Sequence, residues 1–454
     1  MSMIVIALVL AFLLGFLSIR PILTCTNKFE TWALSLMLGL GLMSFFMIFG
    51  IALGISMTQG RWIILYGGVF LILFFIPRRF CLKLPYFIEQ PQQWNKVSKG
   101  LLCVLGLQTC YLFIKTCSLH FKHADALTTW IIKAKILYYG LIQGAPLSEI
   151  AANMKYSYQG HYPLLVPSIV TYLNVFLGAW HDFAFKFIFP LYAVMLLILF
   201  YSFLVRMRIE KNKAFIFTFF LGTIQFFVEH SAWAVSDIVF TSYYFVSFIF
   251  LLFFITFKKY HFLYLSLLFS IFTLWTKMEG IPSVILNIGI LFLFMCHIFL
   301  KKKLVKFDIF NFFVYVFVCA CFFKFYFYYK SLTGVPEERG AILSVFSRPF
   351  DQLLSDVLFI IRYHFKTFFG ATNKWNISFY ILLFYSVINY RKALKSPQVY
   401  LLACIFLNFC LNIIIYLLLP GNFREQMGMS INRLILHIIP FVLFYTALVS
   451  QEEA

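Results

Sequence analysis

Apolar runs recur along almost the whole chain, most of them near the length of a bilayer crossing and several shorter. They fall at roughly 3–19, 32–55, 61–77, 100–117, 183–205, 214–229, 238–257, 261–276, 281–300, 309–329, 376–391, 398–419 and 432–449. A helical crossing needs about 20 such residues, because the hydrocarbon layer is about 30 Å thick. No soluble core needs so much apolar surface. Of the residues, 62% are hydrophobic and 12% charged, and the mean hydropathy is +0.90. The chain therefore reads as an all-α polytopic membrane protein. Its 61 Phe are a lipid-facing compositional bias rather than a binding signal. The first run has neither a basic leader nor a small-residue cleavage site, so it is kept as a span. There is no repeat of fixed period and no Gly/Ser-rich linker, and the chain is expected to end without a soluble C-terminal domain.

Charge then orients the spans. The formal charge of +20 sits in short loops: Arg78/Arg79/Lys83, Arg206/Arg208/Lys211/Lys213, Lys258/Lys259, Lys301/Lys302/Lys303/Lys306 and Arg391/Lys392/Lys395. That distribution fits the positive-inside rule and excludes a nucleic-acid-binding surface. From 206 onward an even number of runs separates successive clusters. Between Lys83 and Arg206 lie three apolar stretches, 100–117, 162–179 and 183–205, so one of them must fail to cross. Pro163 and Pro167 mark 162–179 as that stretch, lying in or dipping into the outer face. About 13 spans remain, and the whole segment 118–182 falls outside.

That polar, histidine-bearing insert is where chemistry is expected. A polar segment of this length cannot lie unpaired in hydrocarbon. After Asp125, the residues Leu127, Trp130, Ile131, Ala134, Leu137 and Tyr138 share one helical face, with Lys133 and Lys135 flanking it. This predicts an amphipathic helix along the membrane surface, its acid turned from lipid. A second short helix is expected at 146–155, and another surface helix at 353–369 within the external loop 330–375. Cys103, Cys110 and Cys117, spaced by seven, form a packed face; none of the 10 Cys belongs to a CxxC pair.

With this topology the unusual polar residues gather at one rim. Asp125, His161, His181 and Asp182 come from the insert. Glu229, His230 and Asp237 come from VEHSAWAVSD, Lys277 and Glu279 from WTKMEG, and Arg424 and Arg433 from GNFREQMGMSINRLILH. Each has a plainer reading. Asp125 and Asp237 suit helix N-caps, Lys277 and Glu279 a turn pair, Arg433 a snorkelling side chain, His161 a turn, and His181–Asp182 a segment end. Their convergence on one side favours a shared, membrane-level cavity, since charges near hydrocarbon face a cavity or one another.

At these residues the chain resembles the membrane glycosyltransferases of the GT-C fold, which include protein mannosyltransferases and aminoarabinose transferases. Asp125 in DALTTWIIKAK resembles the acid of their first external loop, and HYPLLVP the proline-bearing segment after it. SDIVF resembles the Asp-containing start of a later span, LWTKMEG an "LTKxEG" turn, and SINRLILHIIP a late "S-x-x-R-L-L" segment. Many members carry two adjacent acids in the first loop, whereas Ala126 follows Asp125 here. The resemblance runs from about 100 to 445. It divides the chain into N-terminal transmembrane helices at 1–99 and a GT-C-like module at 100–454 that carries the insert.

The resemblance implies a polyprenyl-phosphate-linked sugar donor and a lipid, glycan or protein acceptor. Asp125 would be the general base for the acceptor hydroxyl. Arg433, Lys277 and Arg424 would bind the donor phosphate, with His161, Glu229, Asp237 and Glu279 lining the sugar or acceptor site. One base and one phosphate leaving group imply a single inverting displacement. A divalent metal is compatible with these acids and histidines, but no ligand spacing demands one. Two other classes fit the same composition. One is a flippase of lipid-linked sugars, which would place polar groups near the midplane, often in related halves. The other is a polysaccharide polymerase or ligase. The Lys, Ile and Phe bias suggests an AT-rich bacterial genome, and hence a bacterial inner membrane with the site facing outward.

Overall fold

Apolar sequence without turn residues gives helix after helix. The computed structural model describes residues 2–20, 22, 27–55, 58–75, 94–118, 121, 123–302, 305–335, 348–418 and 423–451. There is no strand among the described residues. The cluster Arg78/Arg79/Lys83, Lys303 and residues 336–347 of the loop 330–375 lie outside them.

Among the described residues, nine helices are long and apolar enough to cross a membrane. They are α1 (Ser2–Ile19), α2 (Lys28–Ala52), α4 (Lys96–Ser118), α8 (Ile188–Arg206), α11 (Asp237–Phe257), α13 (Gly280–Leu300), α14 (Lys306–Leu332), α17 (Gln398–Leu418) and α18 (Phe423–Val449). The chain is thus a multi-pass, all-helical protein of the lipid bilayer. The expected crossing at 214–229 is instead two helices, α9 (Lys211–Thr223) and α10 (Gln225–Ala232), bent by 62°. The runs at 261–276 and 376–391 give shorter helices, α12 (Tyr260–Thr276) and α16 (Ser378–Ile388). α3 spans Gln59–Phe75 and α15 spans Phe350–Gly370.

α11 stands at the centre, its entire apolar window buried by neighbours. Around it one continuous core runs from Ile4 to Val449, so the first two helices share it with those beyond residue 100. α1 crosses α2 at Gly15 and Gly39. A Cβ on Gly39 would lie 1.7 Å from the Ala11 carbonyl oxygen, so only glycine allows this backbone approach.

Among the described residues, the basic clusters at 206–213 and 391–395 meet the end of α18 at one end of the bundle. Lys213 donates to the Ser450 carbonyl, Gln451 to the Arg208 carbonyl and Asn389 to the Val449 carbonyl. The head of α4 joins them, because Ser98 Oγ donates to Asn212 Oδ1 at 2.9 Å. α4 therefore leaves this end and α8 returns to it, with the segment between them at the opposite end.

That segment folds as three helices. A wide π-helical turn, Ala126–Ile131, leads into α5 (Ile132–Gln143), followed by α6 (Leu147–Asn153) and α7 (Leu165–Leu177). α7 has 13 residues, about 20 Å at 1.5 Å per residue, too short to cross. It does not lie on lipid either. Every residue from Leu165 to Phe176 is buried, and the Tyr172 hydroxyl donates to the Ala7 carbonyl at 2.9 Å. The apolar face of α5 likewise packs on protein. Trp130, Ile131, Ala134, Leu137 and Tyr138 are buried, whereas Leu127 is 47% exposed and Lys133 is fully enclosed.

Candidate functional site

The residues at the insert end are placed by how each helix begins or stops. α11 starts at Asp237, where a carboxylate in the first turn meets the positive end of the helix dipole. Lys277, in extended backbone (φ −157°, ψ 158°), ends α12. Gly280 then opens α13 so close to α12 that a Cβ would meet the Thr273 carbonyl oxygen at 2.4 Å. The WTKMEG turn needs glycine there, and that close approach presents Lys277 and Glu279 together. α18 carries Arg433 and His437 one turn apart, hence on one face.

These elements make two joined groups. In the deeper group, Asp237 Oδ1 accepts from Lys277 Nζ at 2.9 Å and pairs with His437 Nε2 at 3.2 Å. His230 Nδ1 lies 3.6 Å from Asp237 Oδ2. Lys277 Nζ also reaches Glu279 Oε1 at 2.8 Å. Asp237 and Lys277 are nearly enclosed, at 2% and 5% side-chain exposure. Burial alone would depress the Lys277 pKa, but the Asp237 and Glu279 carboxylates outweigh it and hold the pKa above the ordinary lysine value. Lys277 is a charged, committed partner, and Asp237 is no helix cap.

The shallower group opens to solvent. Arg433 donates from a terminal nitrogen to Asp125 Oδ2 at 2.6 Å, and the two side chains are 26% and 27% exposed. This joins positions 308 residues apart. Asp125 makes no cap bond, although Asp favours that role. Its backbone is helical (φ −58°, ψ −29°) at the head of the π-helical turn, a distortion common at functional sites. His123 Nδ1 stands 3.8 Å from Asp125 Oδ2 and its ring stacks on Trp233. Arg433 is within electrostatic reach of Asp237 and Glu279 as well. Two cations thus face three carboxylates.

His161 lies beside this assembly, its ring 5.3 Å from that of Tyr162. Burial, then the nearby Lys133 and Lys330 amines, push its pKa down to about 4, so it is a neutral imidazole at pH 7. Lys133 donates to the Tyr162 carbonyl at 3.0 Å, and burial drives its pKa well below the usual lysine value.

Two expected members point elsewhere. Glu229 accepts from Gln225 at 2.9 Å on its own helix. Arg424 lays its guanidinium 4.6 Å from the Phe359 ring centre, nine residues and half a helical circumference from Arg433. His181 and Asp182 end their segment as the plainer reading has it. The Asn174 side chain accepts from the His181 amide, and Trp180 donates to Asp182. His437 is an addition, and His230, one of the rim residues of the sequence, takes the place beside Asp237 that Glu229 does not. His437 stands one turn after Arg433 on the same face, a spacing visible in SINRLILH. No group of three or more His, Cys, Asp or Glu among the described residues is arranged to hold a metal ion. A groove of about 370 Å³ between α5 and α6, lined by Lys135, Tyr139, Glu149 and Tyr156 among others, includes no member of the charged assembly.

Fold and site together define a multi-pass helical membrane protein with an ionic assembly at the end opposite its basic loops. No family model, curated protein or solved structure matches this chain.

Proposed function

We propose that this protein is a membrane glycosyltransferase of the GT-C type. It would move a sugar from a polyprenyl-phosphate donor to an acceptor hydroxyl, at the membrane face away from the basic loops. The observation that carries this reading is the Asp125–Arg433 contact: a solvent-reachable carboxylate held by a guanidinium at 2.6 Å. Arg433 can exchange its carboxylate partner for the donor phosphate, since guanidinium matches both in bidentate geometry. Asp125, released, takes the acceptor proton as the acceptor oxygen bonds to the anomeric carbon. The bond from that carbon to the phosphate oxygen breaks, and polyprenyl phosphate leaves with its added charge facing Arg433. One displacement inverts the anomeric centre. Lys277 would then hold Asp237 and Glu279 in place and act on the phosphate only at a distance. His161, neutral, suits a hydrogen bond to sugar or acceptor.

By the positive-inside rule the basic end would face the cytoplasm and the site the outside, and the compositional bias suggests a bacterial inner membrane. The orientation asks for thirteen crossings: α3, α12 and the bent α9–α10 pair beside the nine long helices would supply twelve, and the run 376–391 the thirteenth, because α16 is continued by a helical turn at Tyr390–Ala393 whereas α7 ends at Gly178. The charged pairs stand at the bundle ends. The interior holds a neutral network in which Asn287 donates to Ser247 and Ser270, which suits a rim enzyme better than a transporter.

The test is purified protein given a polyprenyl-phosphate sugar and a hydroxyl acceptor. Release of polyprenyl phosphate that Asp125→Asn stops is the expected result. Sugar crossing the bilayer with its phosphate bond intact would replace this reading with a flippase.

A further inference from the structure

A second candidate site lies at the basic end, far from Asp125. It is a groove between the last two turns of α13 and the start of α17, with a volume of about 460 Å³, within the range of small-molecule sites. Leu293, His297 and Lys301 line one wall. Spaced by four, they form a single stripe on α13. Val399, Tyr400 and Ala403 line the other wall, and Leu394 and Ser396 close the end.

The groove is graded along its length. Lys301, Ser396 and His297 are at or near the end of the bundle. Leu293 and Ala403 lie inward, Leu293 about 12 Å along the helix from Lys301. The deeper wall is firm, because Phe294 meets Tyr400 edge-on with ring centres 6.0 Å apart, and Lys258 Nζ sits over the Phe294 ring. Both helices turn much of their surface outward: 44% of the α13 window and 33% of the α17 window are buried. Leu293 is 49% exposed and Leu394 is 64% exposed. No carboxylate pairs with Lys301 or His297 among the described residues.

We infer that this groove binds one anionic phospholipid, its phosphate at Lys301, His297 and the Ser396 hydroxyl and an acyl chain along Leu293, Val399 and Ala403. The order of groups matches a phospholipid standing in its own leaflet: charge at the headgroup level, apolar contact below. Basic pockets between transmembrane helices at such a level select anionic headgroups, at about 1 kcal/mol per cation near the surface. The inference rests on the bilayer environment alone and is independent of any glycosyl transfer.

Native mass spectrometry of the full-length protein, titrated with phosphatidylglycerol or phosphatidylcholine of the same chains, tests it. One phosphatidylglycerol should stay bound under activation that strips phosphatidylcholine. His297→Gln with Lys301→Gln should weaken that adduct roughly fivefold or more, at about fivefold for the lysine charge alone, whereas Arg391→Gln, outside the groove lining, should leave it intact. Ala403→Phe, which fills the groove and keeps its charges, should also remove it. Equal retention of the two lipids would overturn the site, as would survival of the adduct in the double variant or in Ala403→Phe. Displacement by millimolar inorganic phosphate would assign the cations to a free anion instead. Melting temperatures of all the variants confirm that folded protein is compared.

Discussion

Two arginine–carboxylate pairs stand at opposite ends of the bundle with nearly the same contact distance and opposite surroundings. Arg206, closing α8, meets Glu30 of α2 at 2.5 Å, with exposures of 3% and 0%. Arg433 meets Asp125 at 2.6 Å, with exposures of 26% and 27%. The first pair is sealed: Asn27 caps α2 beside it, and Arg206 lies against the Phe253 ring. Nothing can enter there, so it pins helices. The second shares its arginine's field with Glu279 and Asp237 and can be reached from outside. Distance alone does not separate a structural ion pair from a working one; access does.

The largest expected effect breaks the two pairs in opposite ways. Asp125→Asn should lower sugar transfer about 10²–10⁴-fold, the usual contribution of a general base. It should cost at most about 1 kcal/mol of stability, because a part-exposed pair is worth little. Glu30→Ala should do the reverse, leaving Arg206 buried without its partner at a cost of about 3–5 kcal/mol while turnover per folded molecule holds. Melting curves and turnover measured side by side would undo the comparison if both variants lost the same quantity.

Lys277→Met should behave like the sealed pair, since it strands a buried Asp237, again at about 3–5 kcal/mol. Its pH dependence has a definite sign. The folded pKa of Lys277 is raised by its carboxylate neighbours over the opposing effect of burial. The stabilisation is therefore complete below the unfolded lysine value of about 10.4 and is lost as pH climbs through the folded value. A melting series into strong alkali should show a steeper loss in the wild type than in Lys277→Met.

Lys133 tests the contrary case. Burial lowers its pKa, so the unfolded chain binds the extra proton and stability falls as pH drops below the ordinary lysine range. Lys133→Met should raise stability at pH 7 by about 1 kcal/mol or more, with the gain shrinking near pH 11. A melting temperature that drops instead would mean that the amine has a stronger role than its Tyr162 carbonyl bond. A smaller effect on transfer belongs to Arg424→Ala, which removes among its contacts a stacking on Phe359 worth about 0.5–1 kcal/mol. Transfer should change little, against a large loss in Arg433→Ala.

The fold class and the meeting of Asp125, Arg433, Asp237, Lys277 and Glu279 were legible because each shows a charge beside an apolar run, and lipid forces such charges toward one another. Which way a side chain turns was less legible. Glu229 and His230 are adjacent, about 100° apart on a helix, so only one can face Asp237, and charge alone favours the wrong one. Arg424 falls on the far side of α18 because nine residues make two and a half turns. Glu30 was overlooked because a lone acid near a helix start reads as a dipole partner; its arginine lies 176 residues away. The thirteen apolar runs overstate the long helices because hydropathy sees composition. It does not register the break after Thr223, where Ile224 takes an extended conformation (φ −62°, ψ 119°).

The most direct measurement is a cryo-EM structure of the Asp125→Asn protein in nanodiscs with a polyprenyl phosphate. Phosphate density within about 3 Å of the Arg433 guanidinium, at the end of the bundle away from the basic loops, is the expected result. A lipid phosphate settled elsewhere, with Arg433 still turned to position 125, would contradict the account.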